Sequence, residues 1–269
     1  MQSQAGKYTL ATGKAAARRL HILHRVYSPV ARRVLTEAGL EPGMSVADFG
    51  CGVGATTRML AEMVGPTGRV TGIDVSAEQV EQARAPCQAE GIENATFVEA
   101  SAYETGLPRD SLDLVYCRFL LLHLTDPARG LREMRDVLKP GGLLVVEDGN
   151  LMTGGSVPES GLHWFPDLFG RVGPKRGVDY GIADNLFHLV REAGFPRPDI
   201  FIHQPAAAYG EDRMLLQLSV EEIGPACVDT GLLSADELGD VLAEMRAATD
   251  DPDVLVLMPR MSLVWARKP

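Results

Sequence analysis

The chain has 269 residues, of which 45 % are hydrophobic and 23 % are charged, and its formal net charge is −10. This length is long for one domain and short for two, so we expect one core fold that carries insertions. The acidic balance argues against nucleic acid and anionic membranes as partners, because both are polyanionic surfaces.

The cysteines and the N-terminal residues favour a cytoplasmic protein without a membrane partner. The four cysteines show neither C-x-x-C spacing nor a pairing pattern, which is typical of reduced thiols, and we predict no metal site. The first ten residues lack the charged and then apolar profile of a signal peptide. No run approaches the roughly 18 apolar residues of a membrane span.

Two helices are predicted at the N-terminus, within a segment (residues 1–43) that we expect to act as a lid. Apolar residues recur at helical spacing over residues 14–38. Ser28 followed by Pro29 is an N-cap with proline at the first helical position, so the second helix is predicted to begin there. Gly39 is predicted to end it.

Short apolar strands alternate with amphipathic helices from residue 44 onward. The predicted strands cover residues 45–49, 69–73, 95–99, 112–117 and 143–148, and the helices cover 55–64, a stretch opened by a Ser76 cap, and 127–138. This alternation predicts a Rossmann-like, doubly wound α/β fold with a mostly parallel seven-stranded sheet. In such sheets ligands bind beyond the carboxyl ends of the strands, so we expect the site in the loops that follow the first four strands.

The regular alternation ends after residue 148. The later predicted elements are a helix capped by Asp184 that ends at Gly194, a sixth strand at 199–203, helices at about 211–228 and 234–248, and a last strand at 262–267. Ser234 and Glu237 have capping-box spacing at the start of one of these helices. We interpret residues 149–183 and 207–258 as helical insertions that cover the ligand edge of a core spanning residues 44–269.

The strongest motif is Asp48-Phe-Gly50-Cys-Gly52-Val-Gly54, which connects the first strand to a helix. Glycines let the backbone turn tightly and approach a ligand closely. The second strand then leads to Asp74, where a carboxylate can accept hydrogen bonds from both ribose hydroxyls of a nucleoside.

The spacing of these glycines separates two cofactor classes. Dinucleotide-binding folds carry G-x-G-x-x-G, which directs a helix N-terminus at a pyrophosphate. Here an acid, Asp48, precedes the glycines. A carboxylate would repel a pyrophosphate and attract the ammonium group of a methionine moiety, which favours S-adenosyl-L-methionine over a nicotinamide cofactor.

With the glycine motif and Asp74, the segment 44–150 resembles the class I S-adenosylmethionine-dependent methyltransferases. The glycine motif is similar to the first motif of that family, and Leu138-Lys-Pro-Gly-Gly142 is similar to its turn before the fifth strand. The segment Tyr116-Cys-Arg-Phe-Leu-Leu-Leu-His123-Leu resembles the strand-four motif of small-molecule members, including the phosphoethanolamine methyltransferases.

The resemblance implies a set of cofactor-binding residues. They are Tyr8, Asp48, Gly50, Cys51, Gly52, Asp74, Val75, Ser101, Ala102 and Arg118. In the family, an Asp and a small residue after the third strand commonly hold the adenine. This chain has Ser101-Ala102, whose hydroxyl is a weaker acceptor than a carboxylate. Arg118 is expected to contact the methionyl part of the cofactor, the alternative being a surface charge.

His123 is the predicted catalytic residue, and a purely structural histidine is the alternative. An imidazole whose pKa lies near neutrality can accept the proton of a nucleophile or orient it. In the phosphoethanolamine enzymes the matching histidine works with an N-terminal tyrosine that closes over the methyl donor. Tyr8 is the candidate for that partner, and Tyr27 is also available.

Residues near the fourth and fifth strands bear on the methyl acceptor. Phe119 stands where the phosphoethanolamine enzymes carry an aspartate that engages a cationic substrate, so an apolar acceptor is favoured here. Glu147 and Asp148 either meet a substrate hydroxyl or amine or form a solvated pair. Thiol chemistry of the arsenite-methyltransferase kind is not expected, because the cysteines form no group.

The sequence therefore predicts an enzyme that transfers a methyl group from S-adenosylmethionine to an oxygen, nitrogen or carbon atom of a small molecule. The many Ala, Arg and Gly residues are typical of a GC-rich bacterial source, which favours a role in natural-product biosynthesis. One alternative is a methyltransferase-like protein that binds the cofactor but catalyses another reaction, such as a cyclisation. A nicotinamide oxidoreductase is the other. The sequence does not indicate an oligomeric state.

Overall fold

The computed structural model describes residues 14–269 and contains two sheets within them. The strands are β1 (Ser45–Phe49), β2 (Arg69–Asp74), β3 (Ala95–Glu99), β4 (Leu112–Arg118), β5 (Leu138–Asn150), β6 (Gly155–Val157), β7 (Asp199–His203), β8 (Ala206–Ala207), β9 (Leu255–Leu257) and β10 (Arg260–Arg267). The helices are α1 (Lys14–Ala38), α2 (Ala55–Val64), α3 (Ala77–Ala89), α4 (Pro127–Val137), α5 (Trp164–Arg176), α6 (Leu186–Glu192), α7 (Leu215–Asp229) and α8 (Ala235–Asp250).

The main sheet has seven strands in the order β3-β2-β1-β4-β5-β10-β7. The first five of these strands pair in parallel, whereas β10 runs antiparallel to both β5 and β7. The predicted mostly parallel, doubly wound sheet is therefore confirmed. The strand order reverses between β1 and β4, which is the position where ligands bind in folds of this type.

The central strands are apolar on both faces because helices cover the sheet on both sides. Val46, Ala47 and Phe49 of β1 are all buried. In β4, Leu114 and Val115 point to opposite faces of the sheet and both are fully buried. A strand buried on both faces is typical of parallel sheets, and it holds the loops at its carboxyl end in fixed positions.

The N-terminal segment forms one continuous helix, so the prediction of two helices was wrong. Pro29 lies inside α1 and removes one backbone donor from it. The helix continues because side chains on both sides of the proline are fully buried, including Tyr27 and Leu35. Gly39 ends the helix with a φ of 104°, as predicted. The role of residues 1–43 as a lid stays a prediction.

Of the two helix N-caps predicted in the second half of the chain, one is wrong and one is confirmed. Asp184 was predicted to cap α6, and this is wrong, because the helix begins two residues later. The Asp184 carboxylate instead accepts hydrogen bonds from Asn150 Nδ2 at 2.7 Å and from Arg260 Nη2 at 2.5 Å. The capping box of α8 is confirmed: Ser234 Oγ accepts from Glu237 N at 3.2 Å, and the Glu237 carboxylate accepts from Ser234 N at 2.7 Å.

The two insertions add helices and a second sheet to the core. β6, β9 and β8 form a three-stranded antiparallel sheet that the sequence pattern did not predict, because each strand has only two or three residues. The helices α5 and α7 pack against each other at the carboxyl edge of the main sheet. No helix within residues 14–269 combines the length and apolar character that crossing a membrane requires.

Candidate active site

A cavity of about 130 Å³, open to solvent on one side, lies at the carboxyl ends of β1 and β4. Its walls come from α1, the loop after β1, the end of β4, and the insertion helices α5 and α7. Most of the wall away from the loop is apolar. The apolar residues are Leu20, Leu23, Phe119, Leu122, Leu151, Phe165, Phe169, Leu215, Leu216 and Ile223. The sheet core and the insertions therefore line one cavity, which we call the chamber.

The glycine loop forms one wall of this cavity through residues 50–53. Gly52 has a φ of 53° and Gly54 a φ of 78°, in the left-handed region that disfavours side chains. A Cβ on Gly54 would lie 2.8 Å from Ala83 Cβ and 2.9 Å from the Phe97 ring, so this glycine also lets α2 pack closely on its neighbours. Cys51 lies on the wall and packs against Phe97 with a buried thiol, as expected for a small apolar group.

Asp74 stands at the end of β2, directly beside the glycine loop. Its two carboxylate oxygens accept hydrogen bonds from Gly52 N and Ser76 N, both at 2.9 Å. Burial raises the pKa of this carboxyl, and the backbone hydrogen bonds act in the opposite direction. Each oxygen retains a lone pair after these bonds. Val75, the next residue, is 51 % exposed although it is apolar.

Asp48 lies behind the glycine loop and not on the cavity wall. It is 1 % exposed, and its carboxylate accepts a hydrogen bond from Thr57 Oγ1 at 2.7 Å. Burial raises the pKa of this carboxyl to about 7. The pairing of Asp48 with a cofactor ammonium group stays a prediction.

Ser101 and Ala102 follow β3 outside this cavity. Ser101 Oγ accepts a hydrogen bond from Tyr103 N at 3.2 Å, which stabilises the turn after the strand. The hydroxyl can still donate a hydrogen bond. Contact of Ser101 and Ala102 with an adenine stays a prediction.

Arg118 lies on the cavity wall and is not a surface charge. Its guanidinium donates to Ser28 Oγ at 3.2 Å and to Thr56 Oγ1 at 2.8 Å, and it lies 3.4 Å from His24 Nδ1. Burial, followed by the charge of Arg118, lowers the pKa of His24 to about 4. We call these four residues the Arg118 cluster. His24 was not predicted as a site residue, although its four-residue spacing from Ser28 places both on one face of α1.

Glu147 and Asp148 are completely buried, so the prediction of a solvated pair was wrong. The Tyr116 hydroxyl donates a hydrogen bond to Glu147, and Asp148 accepts one from Leu121 N at 2.8 Å. Neither carboxylate lies on the cavity wall. Asp148 therefore supports the short turn that carries His123.

His123 projects onto the cavity wall from a single helical turn after β4. Its ring meets Tyr180 edge to face, with centroids 5.8 Å apart. Burial lowers the pKa of His123 to about 3, and the positive charges of Arg19 and Arg176 act in the same direction. The imidazole is therefore neutral at physiological pH.

The tyrosine predicted to work with His123 is not identified by the structure. Tyr8 lies outside the described residues. Tyr27 donates a hydrogen bond to Pro259 O at 3.2 Å and packs its ring against Phe119, with centroids 5.3 Å apart. Tyr180 is the described tyrosine that contacts His123. It was not predicted, because its segment has no helical or strand periodicity.

An ion pair joins α1 to α7 across the cavity wall. Arg19 Nη2 donates to Glu222 Oε1 at 3.2 Å, and Arg19 Nε contacts the other carboxylate oxygen. The two side chains are 13 % and 4 % exposed. Glu222 is the only carboxylate among the described residues that line the cavity. Within residues 14–269 no group of three or more His, Cys, Asp or Glu side chains could hold a metal ion.

Comparison with known proteins identifies the core. Residues 46–142 match the family model described as a methyltransferase domain. A ubiquinone/menaquinone biosynthesis C-methyltransferase of Hahella chejuensis is 35 % identical over 125 residues, which are 46 % of this chain and 49 % of that protein. Residues 46–142 are therefore similar to known methyltransferase domains. The resemblance inferred from the glycine motif is thereby confirmed.

Solved structures match the methyltransferase domain together with its insertions. The phosphoethanolamine N-methyltransferase 2 of Haemonchus contortus is 18 % identical with a TM-score of 0.57, covering 94 % of this chain and 53 % of that chain. The [4+2]-cyclase SpnF is 21 % identical with a TM-score of 0.52, covering 98 % and 85 %. At these identities the likeness shows the fold. The chain spans about half the length of the curated relatives that it matches.

Proposed function

We propose that this protein is an enzyme that binds S-adenosylmethionine and methylates an apolar small molecule. The observation that carries the proposal is one cavity with two kinds of wall. One wall is the glycine loop with the Arg118 cluster, and the other is apolar. The family match and the named activity of the Hahella chejuensis relative support a small-molecule acceptor. A role in natural-product biosynthesis remains part of the proposal.

The residues around the loop fit the chemistry of this cofactor. Asp74 offers acceptor oxygens to ribose hydroxyls, and exposed Val75 offers an apolar surface to the adenine. Arg118 offers a buried positive charge to the methionyl carboxylate. The predicted residues Gly50, Cys51 and Gly52 would contact the cofactor along the cavity wall. Asp48, Ser101, Ala102 and Tyr8 complete the proposed set.

The protein's own task is mainly one of positioning. When bound, S-adenosylmethionine supplies a methyl group that its sulfonium already activates. The apolar walls exclude water, and α1 with α7 confines the acceptor against the glycine loop. Positioning of this kind contributes on the order of 7–11 kcal/mol in well-oriented systems.

We propose that His123 orients the acceptor and receives a hydrogen bond or proton from it. Its neutral imidazole lies on the wall of the apolar chamber. A proton that stays on this ring would lie beside two guanidinium groups, so any protonation is brief. The role of His123 therefore depends more on hydrogen bonding to the acceptor than on holding its proton.

The cofactor part of the proposal is tested by calorimetry with S-adenosylhomocysteine and with NAD. We expect binding of the first ligand only, and binding of NAD alone would contradict the proposal. Activity is then tested with reduced 1,4-naphthoquinone, chosen from the relative's named pathway. A product heavier by one methylene unit supports transfer.

His123→Ala should lower turnover by about 10²-fold while leaving the affinity for S-adenosylhomocysteine within about twofold. His188→Ala, at an exposed histidine of α6, is the matched control. Full activity of His123→Ala would make His123 a structural residue.

A second candidate function is a non-methylating reaction, such as a cyclisation, in the same cavity. The [4+2]-cyclase SpnF shares the fold over 98 % of this chain, and an apolar chamber also suits a folded hydrocarbon substrate. Product mass separates the two functions, since a cyclisation leaves the mass of the substrate unchanged.

A further inference from the structure

Away from the glycine loop, Gln79 and the Arg118 cluster, the cavity wall is apolar except at one corner, formed by Arg19, Glu222 and His123. Ser219, the remaining polar side chain of α7 on this wall, donates its hydroxyl to Leu215 O at 2.7 Å within its own helix. Among the described residues, a ligand bound away from the glycine loop and the Arg118 cluster therefore meets charged or imidazole groups at this corner alone. We call these three residues the polar corner.

The charges that face His123 are positive in sum. Arg19 approaches from α1 and Arg176 from α5, and both lower the pKa of His123. Glu222 of α7 pairs with Arg19, and Arg176 Nη1 donates to the Tyr180 hydroxyl at 2.7 Å. Among the described residues, two guanidinium groups therefore act against one carboxylate. An acceptor oxygen placed here would be stabilised in its anionic form.

We propose that the methyl acceptor is a phenol or an enol whose oxygen binds at the polar corner as an oxyanion. This inference rests on the proposed function and specifies its substrate class. The apolar walls fit the ring or hydrocarbon body of such a molecule. A cationic acceptor does not fit, because Glu222 is already paired and Phe119 occupies the neighbouring wall.

The reaction balances without a further reactant. As it binds, the acceptor passes its hydroxyl proton to the His123 imidazole, which holds it only briefly and releases it to solvent. The electron pair of the oxyanion, on oxygen or on a conjugated carbon, forms the bond to the methyl carbon, and the electrons of the broken carbon–sulfur bond return to sulfur. A negative acceptor and a positive sulfonium thus become two neutral products. A carbon acceptor afterwards loses its C–H proton to solvent, which restores conjugation.

The test uses protein saturated with S-adenosylhomocysteine and three probes of similar size: 4-nitrophenol, neutral 4-nitroanisole and cationic 4-nitrobenzylamine. The phenolate of 4-nitrophenol absorbs at a longer wavelength than the phenol, so its bound form can be read directly. We expect 4-nitrophenol to bind about tenfold more tightly than the other probes. We also expect its pKa to fall by about one unit on binding, the same energy as that tenfold change.

Two variants move this binding in opposite directions. Glu222→Gln leaves Arg19 without its carboxylate and should tighten nitrophenolate binding severalfold. The double variant Arg19→Met with Glu222→Gln should weaken it below the wild type. Arg32→Ala, at an exposed arginine of the same helix that does not line the cavity, is the control. A merely structural ion pair would weaken binding in both variants.

The outcomes separate this inference from the proposed function. If S-adenosylhomocysteine binds but the neutral or the cationic probe binds as tightly as 4-nitrophenol, the oxyanion site is overturned and the proposed function stands. The same conclusion follows if the pKa of bound 4-nitrophenol is unshifted. Absence of S-adenosylhomocysteine binding overturns the proposed function. The wild-type spectrum decides the matter even if the Glu222 variants do not fold.

Discussion

Replacing Asp74 with alanine is expected to weaken the binding of S-adenosylhomocysteine by at least about 100-fold. Each carboxylate oxygen accepts one backbone N–H at 2.9 Å and keeps one lone pair for a ribose hydroxyl. A hydrogen bond to a charged group contributes about 1.5–3 kcal/mol, so two of them amount to about 3–6 kcal/mol. Because about 1.4 kcal/mol corresponds to a tenfold change in affinity, even the lower bound gives about two decades.

The assay is isothermal titration calorimetry with S-adenosylhomocysteine. Asp113→Ala is the matched control, because the Asp113 carboxylate also accepts a backbone N–H, from Ser45 at 2.9 Å, but sits at the amino end of β4. Asp74→Asn is the intermediate variant, which keeps one acceptor oxygen and loses the charge. Folding of each variant is checked by its melting temperature.

An affinity of Asp74→Ala within about threefold of the wild type would refute the reasoning. It would mean that the carboxylate only holds the Gly52 and Ser76 amides in place. A loss that is equal in Asp74→Ala and in the Asp113→Ala control would refute it as well, because both variants would then act through stability.

Three further predictions concern stability and the closure of the chamber. Gly54→Ala should lower the free energy of unfolding by about 1–3 kcal/mol, measured by urea denaturation, because its Cβ would meet Phe97 and the φ of 78° is unfavourable. Asp48→Asn should flatten the pH dependence of stability between pH 4 and pH 7. Its carboxyl has a raised folded pKa of about 7, so its contribution is full below the unfolded value and lost as the pH rises through 7, a difference of up to about 4 kcal/mol. Glu211→Ala should speed the dissociation of S-adenosylhomocysteine in stopped-flow experiments at low salt and have little effect at high salt, because its bonds to Arg25 and Arg18 are exposed.

The sheet and its glycine loop could be predicted because they depend on local patterns. Alternation between apolar strands and amphipathic helices fixed β1 to β4 within one residue at each end. Asp74 was found because it follows a strand that pairs next to the glycine loop, so its place at the carboxyl edge depends only on strand order. Whether the predicted residues hold the cofactor stays a prediction.

The continuous α1 and the polar corner could not be predicted, because tertiary contacts decide them. Proline normally interrupts a helix, but buried residues on both sides of Pro29 hold α1 together. The Arg19–Glu222 pair joins residues that are 203 positions apart in the chain. No local period links such residues, and neither side chain differs in the sequence from an ordinary surface charge.

The walls of the chamber come from two parts of the chain, the sheet core and the insertions, and the two parts supply different kinds of side chain. The core supplies the glycine loop and His123 from regular elements, whereas the insertions supply the apolar wall through α5 and α7. The contact of α1 with α7 and with the turn before α7 contains exposed pairs, such as Arg25 with Asp212, and the nearly buried Arg19–Glu222 pair. Exposed pairs are weak and easily broken, so we expect them to separate first if α1 acts as the predicted lid. A buried pair is costly to separate, so we expect Arg19–Glu222 to hold the polar corner in place.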